Sequence, residues 1–345
     1  MSSKYFVLYQ DCYIITGAKN TLLCDIYRQN IIDITSIYNQ FKNLRFLIES
    51  PENLELINYL ISQELGYIID KLPTNIDGKK IEWFSPSPVN EVIIEHKKKD
   101  EFDINKAYSL IETLSVSFLQ IRFLEFSLSK LQVISKLLKN SCIRTIEIIL
   151  PYVNEDENSK IINFLRKNKR VQIIYFYNAP FNKSEQETVE LFNIVYYKKN
   201  LTNEKFCGII NEDYFTNDIK NFSKAHKFNS CLKDKLFISY KGDLKNCPSL
   251  QRVITNINDF SFDHLITDIN NDEIRNITKD QINICKDCEY RYFCNDCRAY
   301  KENPNDSFSK PLKCGYDPYK GEWDDWTKNP LKQKTIKYYG LEETI

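Results

Sequence analysis

Residues 285–300, CKDCEYRYFCNDCRAY, hold Cys285, Cys288, Cys294 and Cys297 in the spacing C-x2-C-x5-C-x2-C. Each C-x2-C pair can chelate one metal centre from a tight turn, because two intervening residues fold both sulfurs to one side. Cys231 and Cys247 precede the run. They bracket LKDKLFISYKGDLKN, which reads as strand, turn at Gly242, strand. Cys314 follows after a gap. Soft thiolates of this kind suit zinc or iron–sulfur clusters. Disulfides are disfavoured, because the start MSSKYFVLYQ has no charged segment leading into an apolar one, as a signal peptide would. A cytoplasmic chain is expected, and cytosolic thiols stay reduced.

A single structural zinc needs four ligands, and the two C-x2-C knuckles could supply them. Zinc ribbons, however, separate their knuckles by many more residues than five. Zinc would also leave Cys231, Cys247 and Cys314 unused. Two [4Fe–4S] clusters take eight ligands, of which these cysteines supply seven. Two clusters are therefore the expectation and zinc the alternative. In compact two-cluster folds the last cysteine of a run often reaches the neighbouring cluster. That assigns Cys285, Cys288, Cys294 and Cys314 to one cluster, and Cys231, Cys247 and Cys297 to the other. The eighth ligand has two upstream candidates: Cys207 in FCGII, the softer donor and first choice, and His226 in KAHKFNSC, the second. Cys12, Cys24 and Cys142 read as packed thiols. His96 and His264 read as structural, Arg291 and Arg298 as local pairing partners, and Trp323 and Trp326 as packing residues. No catalytic residue is assigned.

The pattern C-x10-G-x4-C, gap, C-x2-C-x5-C-x2-C, gap, C resembles the SPASM domain, which follows the catalytic barrel in many radical SAM enzymes that modify peptides. That family's usual third spacer is three residues, whereas CNDC has two. The stretches NSCLKDKLFISYKGDLKNCPSL, ICKDCEYRYFCNDCRAY and LKCGYDPYKGEW look like the SPASM peptide maturase of grasp-with-spasm systems. The close resemblance covers about 205–326. It implies cluster binding by the cysteines above, a ribosomally made precursor peptide as partner, and an ATP-grasp ligase acting beside this chain. One departure changes the expected chemistry. Radical SAM enzymes place C-x3-C-x2-C after the first barrel strand, but this chain reads EVIIEHKKKDEFDINKAYSL there. The Gly-Gly-Glu-type SAM contact is replaced by FLEFSLSK, and Cys142 is the only cysteine between 25 and 206. SAM cleavage by the usual route is not expected. The expected role is binding and presenting the peptide. The alternatives are a redox enzyme modifying the peptide at an open iron, or a zinc-stapled interaction protein.

The elements that must position these groups can be read from pattern. A chain of 345 residues is about two domains. Lys+Arg and Asp+Glu both number 47, so no basic surface for nucleic acid is indicated. No apolar run is long enough to span a bilayer. With 8 glycines and neither G-x-G-x-x-G nor a P-loop, ATP binding by this chain is not indicated. The expected class is α/β in three parts. Residues 1–84 form a small winged-helix-like α+β module: a hairpin broken at Gly17, a helical pattern through Ile37, Phe41, Leu44 and Ile48, and a helix from Ser50 as cap to Gly66 as stop. Its exposed hairpin edge could accept a peptide strand. Residues 85–204 alternate strands (EVIIEH, SFLQIRFLEFS, IRTIEIIL, VQIIYFYN) with helical patterns, which gives a partial parallel βα barrel or open sheet. The charge run 95–103 reads as a solvated loop. Residues 205–345 form the cysteine-rich domain, with a tail wrapping over it.

Overall fold

The computed structural model describes residues 4–41, 45–72, 81–187 and 192–342. Strand β1 (Tyr5–Leu8) is followed by β2 (Cys12–Thr16), β3 (Thr21–Asp25) and β4 (Asn30–Asp33), then helix α1 (Tyr38–Phe41), β5 (Phe46–Ile48), α2 (Leu54–Ser62) and β6 (Gly66–Ile69). Two antiparallel sheets result, β5-β1-β6 and β2-β3-β4. The hairpin expected at Gly17 is β2–β3. Phe6, Leu23, Phe41, Ile57 and Leu60 bury their apolar faces together in the core of this module.

Two local expectations give way to tertiary pairing. The pattern ending at Ile48 is helical only as far as Phe41; Ile48 pairs with Tyr5 in β5, and Leu44 lies outside the described residues. The second helix runs only over Leu54–Ser62, with Asn53 at its N-cap. Gly66 opens β6 instead of stopping that helix. A Cβ there would lie 2.2 Å from the Val7 carbonyl oxygen and 2.6 Å from the Phe6 ring, so close strand pairing demands glycine. The chain leaves the helix through Glu64, at φ 53°.

The central sheet follows from the alternation of strand and helix. Its parallel strands are β7 (Glu91–His96), β8 (Phe118–Phe123), β9 (Thr145–Pro151) and β10 (Val171–Tyr177), connected by α3 (Ile104–Thr113), α4 (Leu128–Leu137) and α5 (Glu155–Leu165). Asp103, Ser127 and Asn154 cap the three helices by accepting from backbone N–H groups of the first turn. The antiparallel edge strand β11 (Lys183–Glu187) and the parallel β12 (Phe192–Tyr197) extend one side. Helix α6 (Ile219–Ala225) then precedes β13 (Lys235–Ile238), β14 (Asp243–Lys245) and β15 (Thr255–Asn256), which extend the other side. Among the described residues the order is β11-β12-β10-β9-β8-β7-β13-β14-β15, an open sheet. The strand–turn–strand between Cys231 and Cys247 is β13–β14, turning at Gly242 with φ +85°. The sheet thus continues past residue 204, because β13 pairs in parallel with β7.

The two faces of this sheet differ. Val92, Ile94, Leu119, Ile121, Ile146, Ile148, Ile174 and Phe176 point to one side, where they share a core with Leu110, Ile111, Leu131, Ile134 and Ile161 of the helices. The intervening positions are mixed: Ile93, Phe118, Ile149, Ile173 and Tyr175 are apolar or aromatic, whereas Glu91, Glu95, Gln120, Arg122 and Glu147 form a polar patch over β7, β8 and β9. Parallel sheets are usually apolar on both faces. Here the second face carries that polar patch among its apolar positions.

The charge run after β7 is not wholly solvated. Glu95 and His96 belong to the strand and are buried. The His96 ring contacts Asp100 Oδ2 through Nδ1 at 2.7 Å and Tyr108 Oη through Nε2 at 3.3 Å, and Lys130 pairs with the same Asp100 oxygen at 2.8 Å. This closed, buried arrangement folds the loop down, so His96 is a structural anchor.

Candidate metal centres

Cys285 and Cys288 flank a single 3-10 turn, with Cys288 N donating to Cys285 O at 3.0 Å. Ile284 enters that turn at φ 69°, a left-handed conformation that a β-branched residue adopts only where its surroundings fix it. Cys294 N donates to Tyr290 O at 3.0 Å. Cys314 comes from the tail, bridged to Ile210 as a short parallel contact. These four cysteines line one apolar cavity together with Lys279, Tyr290, Lys310, Tyr316 and Trp323. The tail seals it: Gly315 packs so closely under the Asp324 carbonyl that a Cβ would lie 1.8 Å from its oxygen. Trp323 is held by a 2.8 Å hydrogen bond from Nε1 to Glu212 Oε1.

A second, larger cavity of about 340 Å³ is lined by Cys207, Cys231, Cys247 and Cys297, together with Ile93 and Arg122 from the second face of the sheet. Cys207 is exposed, whereas Cys231, Cys247 and Cys297 are half-buried. Gly208 stands at φ +81°, and a Cβ there would meet Cys297 Sγ at 2.6 Å. Lys313 Nζ donates to the Cys207 carbonyl at 2.8 Å and to that of Lys205, which fixes this loop.

Asp296, within the last C-x2-C, joins the two cavities. Its carboxylate accepts from Asn229 Nδ2 at 2.7 Å and Arg298 Nη2 at 2.7 Å. Asn229 Oδ1 in turn accepts from the backbone N–H groups of Cys231 and Leu232. Lys279, buried, lies 3.3 Å from Cys294 Sγ, 3.9 Å from Cys285 Sγ and 3.8 Å from Asp296 Oδ1. Lys235 stands in the same relation to the second cavity, 3.9 Å from Cys231 Sγ and 3.9 Å from Glu91 Oε2. Each group of sulfurs therefore has an ammonium beside it.

Burial pushes the thiols of Cys285 and Cys247 up to about 11, and those of Cys294 and Cys297 up to about 12. Such thiols stay protonated unless a metal displaces the proton. Among the described residues no three His, Cys, Asp or Glu side chains converge as a ready site for a single ion. The sulfurs line cavity walls instead. Four thiols line each cavity, one set beside the buried Lys279 and the other beside the partly exposed Lys235, a donor type and charge that suit a [4Fe–4S] cluster.

One lining holds Cys285, Cys288, Cys294 and Cys314, and the other Cys207, Cys231, Cys247 and Cys297. His226 lines neither cavity. Its Nδ1 meets Phe222 O at 2.8 Å and its ring stacks on Tyr292 at 3.7 Å. Cys12 and Cys24 are buried in the N-terminal module as expected, whereas Cys142 is exposed rather than packed, on the loop before β9 with its thiol turned to Val116 O. Arg298 pairs locally, as expected. Arg291 pairs with Asp280 but also reaches Thr16 O at 3.0 Å, in the N-terminal module. Lys279, Asn229 and Lys235 escaped the sequence reading because nothing in their spacing marks them. Glu95 and Arg122 did leave a signal: each is a charge set by alternation inside an apolar strand, in EVIIEH and FLQIRF.

Fold and sites together define a mixed α/β protein with a large, mostly parallel sheet and two cysteine-lined cavities. No protein-family model and no curated protein matches the chain. Among solved structures it is similar to crystal structures of Streptococcus suis SuiB. One, bound to S-adenosylmethionine, has 11% identity and a TM-score of 0.31. Another, bound to the precursor peptide SuiA, has 12% identity and a TM-score of 0.28. Each match covers 85% of this chain and 96% of the other. At such TM-scores the superposition defines neither a shared fold nor a shared chemistry. Among the described residues, no helix is long and apolar enough to cross a membrane.

Proposed function

We propose that the chain is an iron–sulfur component of peptide maturation. It holds two [4Fe–4S] clusters in a SPASM-like domain and presents a ribosomally made precursor peptide to an ATP-grasp ligase, without cleaving SAM. The reading rests on one observation above all: eight cysteines from separated segments line two cavities, four to each. Cys285, Cys288, Cys294 and Cys314 would hold one cluster, and Cys207, Cys231, Cys247 and Cys297 the other. When bound, such clusters supply one-electron chemistry and rigid crosslinking of the segments that ligate them. Lys279 and Lys235 place positive charge against the sulfurs.

The module 1–84, read as winged-helix-like, would capture the peptide by strand addition. In its sheet β5-β1-β6 the outer strands have no further partner among the described residues, and Ile48 and Tyr67 there are 50% and 41% exposed. The module is tied to the cysteine run. Ala18 N donates to Asp287 O at 2.7 Å, and Asn20 Nδ2 donates to Glu289 Oε1 at 2.9 Å. A peptide captured at the module edge would therefore be held at a fixed position relative to the clusters.

Two outcomes are expected. Anaerobically isolated protein is brown and contains iron and acid-labile sulfide in near-equal amounts; zinc without sulfide would overturn the reading. Deleting 1–84 abolishes retention of the precursor in a pull-down, and undiminished retention would discard the capture role. Co-expression of precursor and ligase with and without this chain, followed by mass measurement of the peptide, tests the partnership.

A further inference from the structure

The polar patch on the central sheet has a built-in asymmetry at the edge of the second cavity. Glu95 and Arg122 sit opposite each other in register on β7 and β8, and Arg122 lines the second cavity. Arg122 Nε donates to Gln120 Oε1 at 2.7 Å, and Gln120 Nε2 donates to Glu147 Oε2 at 2.9 Å. This relay fixes the plane of the guanidinium. Its two Nη atoms have no hydrogen-bond acceptor among the described residues, and neither does Arg122 form an ion pair there. Glu95 is 9% exposed, and its carboxyl likewise has no hydrogen-bond partner among them.

A guanidinium held by Nε with its Nη edge open presents parallel donors matched to a carboxylate. The carboxyl group nearest in register does not occupy that edge. Burial raises Glu95 to about 7, against the lowering effect of Arg122, with Glu204, Lys245 and Lys97 as its other charged neighbours. Glu147 is engaged by Gln120, and Glu91 lies nearest Lys235. Among the described residues the cation facing the cavity thus has no carboxylate paired with its Nη edge; its acidic neighbours are Glu95 and Glu147 and the thiols of Cys207 and Cys247.

We infer that Arg122 forms a carboxylate subsite at the mouth of the Cys207–Cys231–Cys247–Cys297 cavity, taking an acidic group of the bound peptide with Glu95 packed beside it. This deepens the peptide reading above and rests on it. The carboxylate can come from a glutamate or aspartate side chain or from a peptide C-terminus, and the test separates them.

The full-length, anaerobically isolated protein is titrated by ligand-observed NMR with three probes: acetyl-Ala-Glu-Ala-amide, acetyl-Ala-Gln-Ala-amide, and acetyl-Ala-Gln-Ala with a free carboxyl terminus. At least one carboxylate probe is expected to bind about tenfold more tightly than the neutral one, the size of a charge-assisted hydrogen-bonded pair. Arg122→Gln is expected to erase the preference at unchanged iron content. Arg122→Lys, which keeps the charge but loses the fork, should retain only part of it. Equal affinities for all three probes, absence of binding by any, or a preference that survives Arg122→Gln would overturn the inference. Failure of the cluster reading shows separately, as zinc without sulfide, and leaves a carboxylate preference intact.

Discussion

Replacing Arg275 with methionine is expected to lower the unfolding free energy by about 3–5 kcal/mol, the range found when one member of a buried charge network is removed. Arg275 is 1% exposed and among the largest fully buried side chains. Its Nε donates to Asn246 Oδ1 at 2.7 Å, and its Nη atoms donate to the carbonyls of Lys233 at 2.9 Å and Lys235 at 2.5 Å. Asn246 also donates to Asp272 Oδ2 at 2.7 Å, and Asp272 pairs with Arg252 at 3.0 Å. One guanidinium therefore pins the chain just after Cys231 to the residue just before Cys247. Burial holds the Arg275 pKa down at about 10, so the group is still charged at neutral pH. Methionine fills the volume but leaves Asn246 and two carbonyls without their donor, and Asp272 and Asp234 lose a neighbouring cation. Urea titration of metal-loaded protein should show the loss. Iron content should fall as well, because the second cavity depends on Cys231 and Cys247 staying in position. A change below about 1 kcal/mol, typical of an exposed pair, would show that the network is not structural.

The central strands and the cysteine grouping were legible in sequence for different reasons. EVIIEH, SFLQIRFLEFS, IRTIEIIL and VQIIYFYN are short, β-branched and separated by amphipathic segments, so local pattern and tertiary context agree. The cysteines stand out because their spacing is local to the chain and can be read without tertiary context. Gly66 and Ile48 misled because their conformations are set by β1, some forty to sixty residues away. The continuation of the sheet through β13 was hidden for the same reason, since parallel pairing with β7 connects segments more than a hundred residues apart. The network around Asp296 was hidden because buried hydrogen bonds follow geometry and leave no periodic trace. The charges of the polar patch were visible as alternation. Their meaning emerged only once the other face was seen to be covered by helices.

Gly208→Ala is expected to empty the second cavity of metal while sparing the first, cutting iron content by about half if each site takes a four-iron cluster. Two penalties coincide. Gly208 stands at φ +81°, which a side chain tolerates poorly, and the added methyl would lie 2.6 Å from Cys297 Sγ and 3.2 Å from its Cβ. Relief requires moving either the Cys207 loop, which Lys313 holds by two carbonyls, or Cys297 itself. Either movement separates sulfurs that the proposed cluster would need together. Cys285, Cys288, Cys294 and Cys314 line a different cavity and do not meet the new methyl. His226→Ala is the matched control. That ring is committed to Phe222 O and Tyr292, so its loss should leave iron at the wild-type level. The two variants divide the remaining ligand question between them. Iron lost from His226→Ala and kept in Gly208→Ala would transfer the eighth position from the thiol to the imidazole, and with it the packing argument that places Cys207 beside Cys297.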